Sequence, residues 1–258
     1  MHNRKKKPVS DSRNEEILYG FNSVFEAVRA KRRKIFEVSV SKDKADEKFA
    51  QFISGLGLTG IRTTKISSDQ MAFLTKSEMN QGIAARVSPY KSYEFEDLEG
   101  FKSGDKAPLY LILDSIEDPH NFGALCRTAL AAGVDAVIVP KDRASGPTPT
   151  VSRVSAGALE HLRIVVVTNL VNAIKALKDS GVWVSGLDGS GDKTVFAADF
   201  RGPTGIVVGG EDSGLRDLVR KNCDFLVSIP QVGPVNSLNA SVAGAIAVYE
   251  AVRQRLGA

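Results

Sequence analysis

The sequence predicts an α/β protein of two modules, a small one over residues 17–88 and a larger one over 108–258 built on a mainly parallel sheet. Three observations carry this reading. Strand and helix signals alternate along almost the whole chain. Strands such as LYLILD (109–114) and RIVVV (163–167) are apolar on both faces, as a parallel sheet covered by helices on both sides requires. Between the two sets, residues 89–107 combine Pro89, Gly100, Gly104 and alternating charges with few aliphatic anchors, which reads as a linker.

The elements follow in order. Residues 1–16, MHNRKKKPVSDSRNEE, are basic and lack the apolar core of a secretory signal, so they read as a disordered tail. Residues 17–19 form a strand, 20–22 a turn and 23–30 a helix; Phe36, Val38 and Val40 share one face of a second strand. Residues 41–57 read as a helix closed by glycines, Ile61 begins a strand, 67–74 make a short helix, and 82–87 complete the small module. The larger module reads as strand 109–114, helix 121–132, strand 136–140, helix 149–159, strand 162–168, helix 170–179 and strand 182–188. Strand 205–210, helix 214–221, strand 225–229 and a last long helix finish the chain.

Composition bounds the chemistry. The 258 residues are 43% hydrophobic and 25% charged, with no apolar run near the roughly 20 residues that span a bilayer, so no membrane partner is expected. Cys126 and Cys223 lie far apart, with no C-x-x-C and no paired histidines, which argues against a disulfide framework or a metal site and fits a reducing cytoplasm. The net charge of +4 permits nucleic-acid binding without demanding it. Its distribution is uneven: Arg4 to Lys7 form one basic cluster, and Arg29, Lys31, Arg32, Arg33 and Lys34 form a second near a helix end. Such runs are solvated faces or RNA contacts.

In an open parallel sheet, ligands collect beyond the carboxyl ends of the strands, so three loops draw the search. The first, DSIEDPHNFGALCRTALAAG, brings Asp118, His120, Asn121 and Arg127 to a helix entrance; Asn121 suits an N-cap, and Arg127 suits either an anion held there or plain solvent. The second, GGEDSG, sets Gly209 and Gly210 beside Glu211, as an ordinary turn or to let a flat ligand approach. In the third, SIPQVGPVNSLNASVAGAIAVYE, Asn236, Ser237 and Asn239 either cap the last helix or hold a ligand beside it, and a run of small residues thins that helix. No G-x-G-x-x-G follows the first strand, and no Walker loop, H-E-x-x-H or nucleophile elbow occurs, so dinucleotide, P-loop, zinc-protease and ordinary hydrolase chemistry lose support.

Together, in this order, DPHNFGALCRTALAAG, VVGGEDSG and SIPQVGPVNSLNASVAGAIAVYEAVRQ resemble the three motifs of the SPOUT class of RNA 2′-O-ribose methyltransferases, in the TrmH-like branch. LYGFNSVFEAV is similar to the start of the small RNA-binding module, related to a ribosomal-protein fold, that precedes the catalytic domain in the bacterial ribosomal-RNA guanosine enzymes. The resemblance spans almost the whole chain. It implies S-adenosyl-L-methionine as cofactor, RNA as substrate (a large-subunit ribosomal guanosine first, transfer RNA second) and a homodimer; the alternative from another class is a non-catalytic RNA-binding ribosome-assembly factor of the same fold. It also implies a deep trefoil knot where periodicity alone gives an ordinary doubly wound sheet. By position, Gly209, Gly210, Ile229 and Leu238 match cofactor-contacting residues, and Asn121, Arg127, Glu211, Ser237 and Asn239 match those associated with catalysis. Ala240 stands where the family commonly has valine, a change that packing tolerates. The family proposal makes arginine the base, which sits awkwardly with guanidinium chemistry. The other role for Arg127 is to pin the phosphate beside the target ribose, with Glu211 orienting Arg127 or Asn121.

Overall fold

The computed structural model describes residues 15–44, 55, 60–101, 106–211, 214–234 and 237–257. The helix expected over 41–57 lies largely outside them, as do residues 1–14 and Asn236. Glu15 and Glu16, read as tail, are ordered: Glu16 opens the first strand and Glu15 pairs with Arg86 at 3.0 Å.

The small module comprises β1 (Glu16–Tyr19), α1 (Phe21–Ala30), β2 (Ile35–Ser41), β3 (Arg62–Ile66), α2 (Ser68–Thr75) and β4 (Ile83–Val87). Its strands form a sheet in the order β1-β4-β2-β3, mixed in direction, with β2 and β3 parallel. Leu18, Val24, Val38, Ile83 and Val87 fill the core beneath α1. Ser67 and Gln70 close a reciprocal capping box that starts α2.

The larger module runs β5 (Leu109–Asp114), α3 (Pro119–Ala131), β6 (Ala136–Pro140), α4 (Pro149–Val154), β7 (Ile164–Val167), α5 (Leu170–Asp179) and β8 (Trp183–Leu187). It continues through β9 (Lys193–Thr194), β10 (Thr204–Gly209), α6 (Asp217–Asn222), β11 (Phe225–Ser228) and α7 (Ala240–Arg255). Every pairing in its seven-stranded sheet, ordered β7-β6-β5-β10-β8-β11-β9, is parallel. Two apolar layers sandwich it: Leu111, Leu113, Phe122 and Leu125 on one face, Ile112, Ile138, Ile174 and Val184 on the other. From β5 the chain steps outward through β6 and β7, and on its return it places β10 against the other side of β5. The β5–β10 seam is therefore the topological switch point, where the carboxyl ends of two strands open a crevice.

Four expectations need correction. The 149–159 helix is two pieces, because Ala156 (φ 53°) and Gly157 (φ 82°) take left-handed backbone before a short 3-10 turn over Ala158–His161. The break seats α1: a Cβ at residue 157 would lie 2.6 Å from the Asn22 carbonyl oxygen. The 214–221 helix starts only at Asp217, since Gly214 has φ 63° and Arg216 is extended. The strand read as buried over 225–229 has one fully buried residue, Val227, because its outer neighbour β9 is two residues long. Finally, the 89–107 segment is not a free tether in its described part. Tyr93 bridges to Val165 of β7, and a 3-10 helix, Phe95–Phe101, buries Leu98 and Phe101 against the larger module.

The second basic cluster also changes character. Arg33, with its side chain 2% exposed, grips Glu160 through Nε at 2.8 Å and donates to Glu16 at 2.5 Å, while Arg32 donates to the Leu162 carbonyl and to Tyr93 Oη. Ser152 donates to Glu160 at 2.7 Å, and His161 meets Glu26 at 2.7 Å. Two of the five cations therefore latch the modules together. Burial pushes the Glu160 carboxyl above its ordinary value even though Arg33 and Ser152 pull it down.

Candidate active site

The crevice at the β5–β10 seam gathers most of the singled-out residues. Asp118, rather than Asn121, caps α3: its carboxylate accepts from the N–H groups of His120 and Asn121. Pro119 follows at the first helical position, where a missing N–H costs nothing. Asn121 is thereby freed from capping. Its side chain, 7% exposed, donates through Nδ2 to Glu211 Oε1 at 2.5 Å and accepts from Asn239 Nδ2 at 2.9 Å. Asn239 Nδ2 also donates to Glu211 Oε1 at 2.5 Å, while Asn239 Oδ1 caps α7 by accepting from the N–H groups of Ser241 and Val242. Three loops far apart in sequence thus meet in one closed triangle of hydrogen bonds around a carboxylate. Asn239 thus caps α7 with its oxygen while its nitrogen joins the triangle.

Of the two readings open for the glycines before Glu211, the backbone around them supports the turn. A Cβ at Gly209 would stand 2.2 Å from the Gly214 carbonyl carbon, and one at Gly210 would stand 2.6 Å from the Ser115 carbonyl oxygen. The loop folds back on itself, with the Gly214 N–H donating to the Gly210 carbonyl at 3.0 Å, and it rides over Ser115, a non-glycine at φ 63°. Their bareness is required by neighbouring backbone.

Two cavities share Gly210 and Glu211. One, about 320 Å³, is lined by Ser115, Ile116, Glu117, Asp118 and Asn121 besides those two. The other, about 300 Å³, includes Gly209, Ile229, Ser237 and Leu238 in its lining, with Leu187 and Val227 as apolar wall and Asp188 at its rim. Burial raises the Asp188 carboxyl, but the Ser190 hydroxyl and N–H and the Arg220 guanidinium outweigh it and hold the group below the ordinary carboxylate range. Ile229 is half-buried, and Leu238 is exposed for a large apolar residue, at 40%.

Arg127 is not part of this assembly. It is exposed on the outer side of α3, almost two turns beyond Asn121, and no ion-pair partner is found for it among the described residues. Glu211 orients Asn121 and Asn239 instead. Ser237 lines the second cavity but makes no hydrogen bond among the described residues.

The sequence did not reveal a second carboxylate that holds the site in shape. Asp114, fully buried at the end of β5, accepts from the Arg216 N–H at 2.8 Å and from Arg216 Nε at 2.6 Å. This clamps the far end of the loop that carries Glu211. The one signal available was an aspartate ending the otherwise apolar strand LYLILD. Among the described residues no group of His, Cys, Asp and Glu is arranged to hold a metal ion, and no helix is long and apolar enough to cross a membrane.

Comparison with known proteins bears directly on this crevice. A family model described as the SpoU rRNA Methylase family matches residues 108–249, and one described as RNA 2′-O ribose methyltransferase substrate binding matches residues 17–93. The 23S rRNA (guanosine-2′-O-)-methyltransferase RlmB of Photobacterium profundum is 40% identical, over 94% of this chain and 99% of that protein. The protein of the same name from Xanthomonas campestris pv. campestris is 37% identical over 96% of this chain and 100% of its own length. Among solved structures, the SpoU methyltransferase AviRb from Streptomyces viridochromogenes in complex with AdoMet superposes with a TM-score of 0.78 at 29% identity, covering 94% of this chain and 91% of that one. An RNA 2′-O ribose methyltransferase superposes with a TM-score of 0.79 at 26% identity, covering 95% and 91%.

Proposed function

Since this chain belongs to the SpoU rRNA methylase family, we propose that it transfers a methyl group from S-adenosyl-L-methionine to the ribose 2′-hydroxyl of a guanosine in 23S ribosomal RNA. The observation that carries the reading is the Asn121–Glu211–Asn239 triangle, set at the switch-point crevice where two cavities of about 320 and 300 Å³ adjoin. The cofactor supplies an electrophilic methyl group on a sulfonium. The cavity bounded by Leu187, Val227, Ile229 and Leu238 suits it: the apolar walls match an adenine face, and the Asp188 and Glu211 carboxylates suit a cationic ligand. Gly209 and Gly210 also line it.

The remaining work falls to positioning and to the proton, because a ribose hydroxyl attacks well only when deprotonated and in line. Glu211 spends Oε1 on the two asparagines and keeps Oε2 without a protein donor among the described residues, which leaves an acceptor for the hydroxyl. Asn121 and Asn239 hold that carboxylate, and Ser237 stands at the rim for the ribose. Exposed guanidinium groups grip phosphate, so we assign Arg127 to the phosphate beside the target ribose rather than to the base role.

We also infer a homodimer. Val242, Ile246 and Tyr249 form one stripe on α7, with Val242 and Tyr249 exposed, and covering it with a second copy would bury an apolar face next to the helix that carries Arg127. We infer the trefoil knot from the family resemblance; Ile229, Gln231, Ser237 and Leu238, which line one cavity with Leu187, Asp188, Gly189, Gly209, Gly210, Glu211 and Gly214, are compatible with it. A substrate in ribosomal RNA supports a cytoplasmic location. The deciding experiment offers tritiated S-adenosyl-L-methionine with protein-free 23S rRNA and with bulk tRNA, then maps the labelled nucleotide. Label on a guanosine ribose of 23S rRNA is expected; label confined to tRNA, or none, refutes the assignment.

A further inference from the structure

Arg153 sits on the seam between the two modules and, among the described residues, donates to no oxygen acceptor. Its neighbour Arg33 is satisfied by Glu160 and Glu16, and Arg32 by a carbonyl and a phenol. Arg153 has no carboxylate partner among the described residues; its Nε is buried without any hydrogen-bond partner, and its Nη1 reaches only the Met79 sulfur at 3.8 Å. A thioether is a weak acceptor for a guanidinium. The side chain is nevertheless held in place. Its guanidinium carbon lies 5.7 Å from the centroid of the Tyr19 ring, and its Cγ and Cδ pack on Gly20, where a Cβ would lie 3.3 Å from Cγ. Tyr19 is in turn fixed by a 3.3 Å hydrogen bond to Thr150 of α4.

The position is as telling as the unmet valence. Val154, the next residue, packs so tightly on α3 that a Cβ at Gly123 would stand 2.8 Å from Val154 Cγ1, and Gly123 is two residues from Asn121. The guanidinium is thus carried by α4, which packs on the helix that bears Asn121 and Arg127. Met79, 67% exposed, leaves that side of the seam open to solvent.

We propose that Arg153 is a binding residue for a backbone phosphate of the RNA substrate, taken between the small module and α4 at a distance from the reacting ribose. The proposal rests on the methyltransferase reading above. A phosphate oxygen supplies the charge-assisted acceptor that Arg153 lacks, and the guanidinium, pre-set against Tyr19, needs little ordering to take it. The contact carries no base information, so it strengthens binding without choosing the sequence.

The test compares the wild-type chain with Arg153→Met, which keeps the apolar stem against Tyr19 and Gly20, and with Arg153→Lys. A 23S rRNA fragment that the wild type methylates is used in filter binding at several salt concentrations and in methyl transfer. Arg153→Met is expected to weaken RNA binding about 5–10-fold near 0.15 M salt and to flatten the slope of log affinity against log salt by about 0.7–0.9, one phosphate's share. KM for RNA should rise by a similar factor with kcat and S-adenosyl-L-methionine affinity unchanged, and Arg153→Lys should recover most of the slope. An active wild type with an unaltered slope in Arg153→Met overturns the phosphate site alone. Loss of thermal stability with kcat and KM both affected also overturns it, in favour of a structural role. A wild type that methylates no RNA overturns both this proposal and the reading beneath it.

Discussion

Replacing Arg33 by methionine removes one partner from the most buried ion pair between the modules, and the structure sets the size of the effect. The two side chains are 2% and 1% exposed, the contact is bidentate at 2.8 and 3.3 Å, and Ser152 adds a 2.7 Å bond to the same carboxylate. Stranding Glu160 in that setting costs about 3–5 kcal/mol, whereas replacing both partners with apolar residues is often close to neutral. In urea unfolding at pH 8, Arg33→Met should therefore lose about 3–5 kcal/mol. The double variant Arg33→Met/Glu160→Leu should lose much less than the two single changes summed, a coupling of at least about 2 kcal/mol. The pH dependence adds a check of sign. Burial already holds the Glu160 carboxyl above its ordinary value of 4.5, so only between that value and the folded one does the folded state bind a proton that the unfolded chain has lost. The stability this group contributes is present below that value and is lost as pH rises through the folded one. Without Arg33 the carboxyl rises further, so the Arg33→Met penalty should be smaller at pH 5 than at pH 8. Additivity within about 0.5 kcal/mol, or a penalty that grows on acidification, would refute the buried-pair account.

Asn239→Asp keeps the oxygen that caps α7 but replaces the donor to Asn121 and Glu211 with a like charge; melting should shift little, while methyl transfer falls at least about 100-fold, near 2.7 kcal/mol in barrier. Retained turnover in that variant would remove the triangle from the mechanism. Gly210→Ala drives a Cβ to 2.6 Å from the Ser115 carbonyl oxygen, so it should cost about 1–3 kcal/mol in chemical denaturation and displace Glu211, with activity lost alongside. Burial pushes the Cys223 thiol up to about 12 and raises Cys126 as well, so native protein at pH 8 should resist iodoacetamide at both positions and take up two labels in urea, as read by mass spectrometry.

Local pattern was enough for the parallel sheet and most of the helices, because a strand covered on both faces must be apolar throughout and helix periodicity is visible in ten residues. The three polar loops were legible because each follows the carboxyl end of an apolar strand, where a parallel sheet collects its ligands. What the sequence determined by itself was therefore which elements form, while the polar loop residues stood open between capping and chemistry until the family resemblance singled them out. Pairing was decided only by the tertiary structure. Asp118 rather than Asn121 caps α3, Glu211 binds two asparagines rather than Arg127, and Arg33 is a latch rather than a solvated cation. Asp114 and Arg216, 102 residues apart, meet only because β5 and β10 are adjacent, and Gly209 and Gly210 are bare because Gly214 and Ser115 press on them. Each of these depends on which groups the fold brings within 3 Å, and a hydrogen bond or a steric clash is decided by that distance, which separation along the chain does not encode.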